Sequence, residues 1–98
     1  MPTSGTRAAT APTLAPGTSG EKLRAVRLLR NLTVREVASA TRRIAERQDH
    51  EEFSISAGRL SEIENKGAVP NIYRLYSLAV VYQVDLREML SWFGVPRD

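Results

Sequence analysis

Residues 55 to 70 read I-S-A-G-R-L-S-E-I-E-N-K-G-A-V-P. Ser56 suits a helix N-cap, because its hydroxyl can accept from backbone amides that a helix start leaves unpaired. Leu60 and Ile63 follow at helical spacing and face one way. Gly67 tolerates the left-handed backbone that ends a helix, and Pro70 blocks immediate continuation. The result is a short helix anchored by two apolar residues. It shows Ala57, Gly58, Arg59, Ser61 and Glu62 to solvent, the layout of a helix that lies in a groove with its N-terminal residues outward.

Further helices lie on either side. Gly20 to Asn31 carries Leu23, Val26 and Leu29 on one expected face, with Arg27 at its edge and Lys22, Arg24 and Arg30 outside it. Thr33 and Glu36 form a capping box for a second helix. Val34, Val37, Ala38, Thr41, Ile44 and Ala45 then run at helical spacing to about Arg47. Asn71 caps a helix after Pro70, with Ile72, Leu75, Leu78, Ala79 and Tyr82 as its expected inner face. Asp85 and Glu88 offer another capping box, for a last helix bearing Leu86, Met89, Leu90, Trp92 and Phe93.

The pattern S-x-x-x-L-S-x-I-E, closing on N-K-G-x-x-P and followed downstream by V-D-L-R-E-M-L, resembles the Cro and phage-repressor type of helix-turn-helix domain. This is the large xenobiotic-response-element-like family of bacterial and phage regulators. The likeness covers about Gly20 to Leu90 and implies an all-α, compact five-helix orthogonal bundle of the lambda-repressor-like kind. It implies that Arg27 pairs with Glu64, and that the 56–64 helix enters the major groove of double-stranded DNA. It also implies a homodimer on a palindromic site, repressing or activating transcription. Two positions and one insertion depart from the family. Val34 stands where a phosphate-touching glutamine is common. Gln83 replaces a common glycine, which implies a strained or adjusted turn. About a dozen extra residues, roughly 42–54, separate the two helices of the motif. Asn31 stands at another position where the family often has glycine, but asparagine tolerates the left-handed backbone.

The chain has 98 residues, a net charge of +3 and no cysteine. That size makes one small domain, without disulfide, thiol or zinc-finger chemistry. No apolar run nears the roughly 18 residues of a membrane span, and no secretory leader is visible. A cytoplasmic protein is expected. Residues 1–19 contain only Pro, Thr, Ser, Gly and Ala apart from Met1, Arg7 and Leu14, so a disordered leader is expected there. The domain is expected over 20–94, with a short tail over 95–98. Asp49, His50, Glu51 and Glu52 in the insertion match neither a transition-metal site nor a calcium loop, so no metal or other cofactor is expected. The single histidine has no nucleophile placed beside it by motif, so an enzyme is not expected.

For DNA, Arg59 can reach a guanine edge or a phosphate, Ser61 a phosphate, and Glu62 a cytosine amino group. Ser56, Ala57 and Gly58 bring the helix start to the backbone. Asn65 and Lys66 match the family's phosphate-contacting loop, and Arg35, Arg42 and Arg43 add counterion-release affinity. Against this, residues 48–64 carry one arginine against five acids, a net −4, whereas 21–47 carry +5. The alternative is a protein-interaction module on the same scaffold, using the acidic insertion and the aromatic surface of Tyr73, Tyr76, Trp92 and Phe93. Trp92 and Phe93 are adjacent and diverge on a helix, so one of them is expected to remain outside the core as a homodimer contact; the alternative is that the chain bends back after Ser91, with Gly94 and Pro96, and buries both rings against the first helix.

Overall fold

The computed structural model describes residues 17–96. Five α-helices follow in order: α1 (Ser19–Leu29), α2 (Val34–Gln48), α3 (Ala57–Lys66), α4 (Ile72–Tyr82) and α5 (Leu86–Trp92). One 3-10 turn, Glu51–Phe53, lies between α2 and α3, and no strand occurs among the described residues. The protein is an all-α, five-helix bundle. None of the described helices is long and apolar enough to cross a membrane. Residues 1–16 of the expected leader and 97–98 of the expected tail lie outside the described residues.

The domain begins earlier than its composition suggests. Thr18 and Ser19, read as leader, open α1: the Thr18 hydroxyl accepts from the Glu21 amide (3.1 Å) and the Glu21 carboxylate accepts from the Thr18 amide (3.0 Å). This is a full capping box. Thr33 and Glu36 form the same device at α2, at 3.1 and 2.8 Å. Ser56 accepts from the Arg59 amide, Asn71 from that of Arg74 and Asp85 from that of Arg87. Three helices end through non-glycine residues of positive φ nearby: Asn31 at 61°, Asp49 at 52° and Gln83 at 57°. At Gln83 the turn keeps the left-handed backbone that glycine adopts most easily.

Leu23, Val37, Ile55, Leu60, Ile63, Leu75, Leu78, Ala79, Tyr82 and Met89 form one buried core. At roughly 1.5–3 kcal/mol per large apolar side chain, these residues dominate the stabilisation of so short a chain. α1 crosses α3 so closely at Gly20 that a β-carbon there would sit 2.7 Å from the Ile63 carbonyl oxygen, and nearer still to that of Glu64.

Three faces differ from expectation. Leu29 is 78% exposed, and Arg27 is buried in its place. Arg27 lies four residues after Leu23, the spacing that keeps both on one stripe, whereas Leu29 falls on the far side. On α4, Ile72 is 53% exposed and Ser77 is buried instead, its hydroxyl donating to the Phe53 carbonyl (2.6 Å). At the C-terminus, Trp92 and Phe93 are both half-buried against the same core, rather than one inside it and one outside. The reason is that α5 stops at Trp92. Phe93 leaves the helix, Gly94 turns at φ 91°, and the Val95 amide returns to the Leu90 carbonyl (3.2 Å). The exposed aromatic surface lies on α4, at Tyr73 and Tyr76.

The insertion is structured. α2 continues to Gln48, Asp49 closes it, and the His50 ring nitrogen Nδ1 accepts from the Glu52 amide (3.2 Å) to start the 3-10 turn. Phe53 pins this segment onto α4 rather than into the main core. It meets Tyr73 edge-on (ring centroids 5.3 Å) and Tyr76 likewise (5.7 Å), while His50 stacks on Tyr73 (4.6 Å).

Candidate nucleic-acid interface

α3 is held from behind. Leu60 and Ile63 are fully buried, and Glu64 joins them as a buried carboxylate. Arg27 reaches that carboxylate with two prongs, Nε to Oε2 at 2.7 Å and Nη2 to Oε1 at 3.0 Å. Its third nitrogen, Nη1, donates to the Leu32 carbonyl (3.0 Å). The hydrogen bond to Glu64 holds the Arg27 guanidinium protonated above its ordinary range, against the desolvation that opposes it. Two parallel bonds fix the angle between α1 and α3 more firmly than a single ion pair does.

The entry to α3 is bolted from two sides. The Thr41 hydroxyl, buried on α2, accepts from the Ile55 amide (3.0 Å) and donates to the Ala38 carbonyl (2.9 Å). On the other side, Arg74 of α4 donates to the Ser54 carbonyl (2.9 Å). Arg30 acts similarly at the far end of the molecule, donating to the Tyr82 carbonyl (2.7 Å) that ends α4. Sequence reading placed Thr41 only as an apolar-face residue and did not single out Arg30, Arg74 or Ser77. Their partners lie 14 to 52 residues away, and no local spacing announces them.

The outward surface gathers most of the residues read as DNA-facing. Gly58, Arg59, Glu62, Asn65 and Lys66 are exposed on α3, and Ala57 and Ser61 are half-buried beside them. At its N-terminus α3 opens onto a groove of about 460 Å³ shared with α2. Arg35, Ser39 and Arg42 line one side, and Ser54, Ser56 and Ala57 the other. Among the described residues, neither Arg35 nor Arg42 has a carboxylate partner. Arg43 is exposed next to them and donates to the Ser39 hydroxyl (3.2 Å). The unpaired amides and positive dipole end of α3 thus share a concavity with two free guanidiniums, a setting suited to a phosphate. Arg59 is different: its Nη1 donates to a Glu62 carboxylate oxygen at 3.3 Å, with both side chains half-exposed.

Tyr82 lies under this framework, fully buried, with no hydrogen-bond partner for its hydroxyl. Burial, reinforced by the Glu64 charge and opposed by Arg27, pushes its phenol well above the usual range. No protein-family model, curated protein or solved structure matches the chain.

Proposed function

We propose that this chain binds double-stranded DNA sequence-specifically, as a transcriptional regulator of the Cro and phage-repressor type, placing α3 in the major groove. The observation that carries this reading is the division of α3 into two faces. Its inner face is fastened by Leu60, Ile63 and the Arg27–Glu64 pair, while its outer face adjoins the Arg35 and Arg42 groove of α2. In this reading Arg35, Arg42, Arg43 and Lys66 hold phosphates and set the register. Arg59 and Glu62 read bases, and the bare backbone at Gly58 allows close approach to a base edge. Such a role places the protein in the cytoplasm, at the nucleoid.

Selection of bound sequences from a random duplex pool, followed by titrations across salt, tests it. About four phosphate contacts per subunit predict a log–log salt slope of roughly −3 to −4 for each subunit bound. Arg59→Ala should cost about 1–3 kcal/mol on the selected site only, while Lys66→Ala should weaken all duplexes alike. A flat salt response with no enriched sequence would reject the proposal. A second reading, a protein-interaction module, rests on a specific observation: Glu62 occupies Arg59, and the neighbouring insertion adds the exposed acids Asp49, Glu51 and Glu52. The same flat response would favour it.

A further inference from the structure

One face of α2 changes sign along its length. Arg35, Ser39, Arg42 and Glu46 recur every three or four residues and so share that face, and Asp49, the C-cap, follows in line. Two concavities lie along it. They are continuous, because Arg42 and Ser54 line both. The first, at the start of α3, is the basic groove of Arg35 and Arg42. The second, of about 420 Å³, runs on beside the insertion and is lined by Glu46, Asp49, His50 and Glu51.

The carboxylates of Glu46, Asp49 and Glu51 are exposed, and none has an ion-pair partner among the described residues. Nearby cations do not cancel them. Arg47 projects about 100° round α2 from Glu46 and does not line the groove. Arg43 donates to Ser39, and Arg74 is engaged with Glu52 and the Ser54 carbonyl. Glu46 stands one turn and Asp49 two turns beyond Arg42, about 6 and 10 Å along the helix. Physiological salt screens over about 8 Å, so both acids act on a phosphate held at Arg42. Duplex DNA carries a charge about every 1.7 Å of its axis, so a backbone laid along the whole groove brings phosphates against the acids.

We infer that Glu46, Asp49 and Glu51 determine specificity by repulsion, turning away duplexes held through phosphate contacts alone. The inference rests on the reading of α3 as the helix that enters DNA. A duplex seated on α3 meets the basic end of the groove and is kept in register there by base contacts. A duplex held only through its backbone has no such register and samples the whole groove, the acidic end included. Discrimination then comes from a repulsive element as well as an attractive one. Neutralising the three acids therefore strengthens non-specific binding more than specific binding.

The test compares wild type with a Glu46→Gln, Asp49→Asn, Glu51→Gln variant. All three replacements keep the side-chain shape, and asparagine suits the left-handed backbone of Asp49 (φ 52°). The probes are the duplex selected from the random pool and a scrambled duplex of the same length and composition, each titrated from about 0.05 to 0.5 M salt. The variant should bind the scrambled duplex roughly tenfold more tightly at low salt and the selected duplex at most about threefold more tightly, with both gains fading as salt rises. A second variant, Ala25→Lys, Val80→Lys, Val95→Lys, adds the same positive charge at exposed positions off the groove and should leave the ratio of the two affinities unchanged. If the groove variant does not fold, Glu46→Gln alone should lower the ratio in the same direction. A ratio unchanged in the groove variants, or lowered as much by the lysine variant, overturns the inference and leaves the DNA reading in place. A wild type that enriches no sequence overturns both.

Discussion

Gly20 and Gly58 allow a matched experiment. Each is the second residue of its helix, after the caps Thr18 and Ser56. On helix propensity alone, alanine at either position should stabilise by about 0.5–1 kcal/mol. The surroundings differ. A β-carbon on Gly58 meets nothing within 4 Å, whereas one on Gly20 lies 2.7 Å from the Ile63 carbonyl oxygen and closer to that of Glu64. Both obstacles are backbone atoms and cannot rotate away, so α1 must retreat from α3 by roughly 1 Å. Overpacking of this kind costs about 1–3 kcal/mol. Net of propensity, Gly20→Ala should be destabilised by about 1–2 kcal/mol, while Gly58→Ala gains about 0.5–1. In a domain of this size the two variants should melt roughly 10 °C apart, on opposite sides of wild type. Thermal and urea unfolding followed by circular dichroism would measure this. Equal shifts in the two variants, or a more stable Gly20→Ala, would refute the close crossing of α1 and α3.

The Arg27–Glu64 pair should be strongly coupled. Either single change to alanine should cost about 3–5 kcal/mol, by stranding a buried charge, and the double change less than their sum; additivity in a double-mutant cycle would contradict the two-pronged geometry. Thr41→Val keeps the shape but leaves the buried Ile55 amide unpaired, so urea unfolding should show a loss of about 1–3 kcal/mol, and no loss would mean that this bolt is not formed. Tyr82 holds its proton above the ordinary phenol range because it is buried. Its contribution is complete below the unfolded value near 10 and is lost as pH rises beyond it. Tyr82→Phe should be neutral or stabilising by up to about 1 kcal/mol at pH 7, since the hydroxyl has no partner, and should resist alkaline unfolding better than wild type. Melting temperatures from about pH 8 to 11 check this, and parallel losses in the two proteins would remove Tyr82 as the cause.

Local chemistry was legible in the sequence wherever cause and effect sit within one turn. Thr33, Ser56 and Asn71 cap the helices they precede because a cap needs only its own next three residues. Thr18 is the same device, obscured by its place at the end of a Pro, Ser and Gly-rich run. Arg27 and Glu64, 37 residues apart, were legible only through a family resemblance, since no helical period puts an arginine inside. Leu29 went astray because a 3.6-residue period drifts along a helix, and Arg27 with its buried partner took the inner place. The grouping of His50, Phe53, Tyr73 and Tyr76 was not legible, because it depends on where a 3-10 turn lands against a helix some 20 residues later. For the α3 surface, the sequence placed the outward residues. Only coordinates brought Arg35 and Arg42 to one groove, and only they paired Arg59 with Glu62.

Where the extra residues between α2 and α3 run into the start of α3, three successive residues each have a backbone group claimed by a side chain from a neighbouring helix: the Phe53 carbonyl by Ser77, the Ser54 carbonyl by Arg74 and the Ile55 amide by Thr41. None of the three can open without parting α2 or α4 from the segment. In hydrogen-exchange terms, the Ile55 amide should exchange only with the slowest, global opening of the bundle, despite following a segment whose length and polarity suggest early fraying. The insertion then forms one cooperative unit with the core, and its motion is a measure of unfolding rather than of loop mobility.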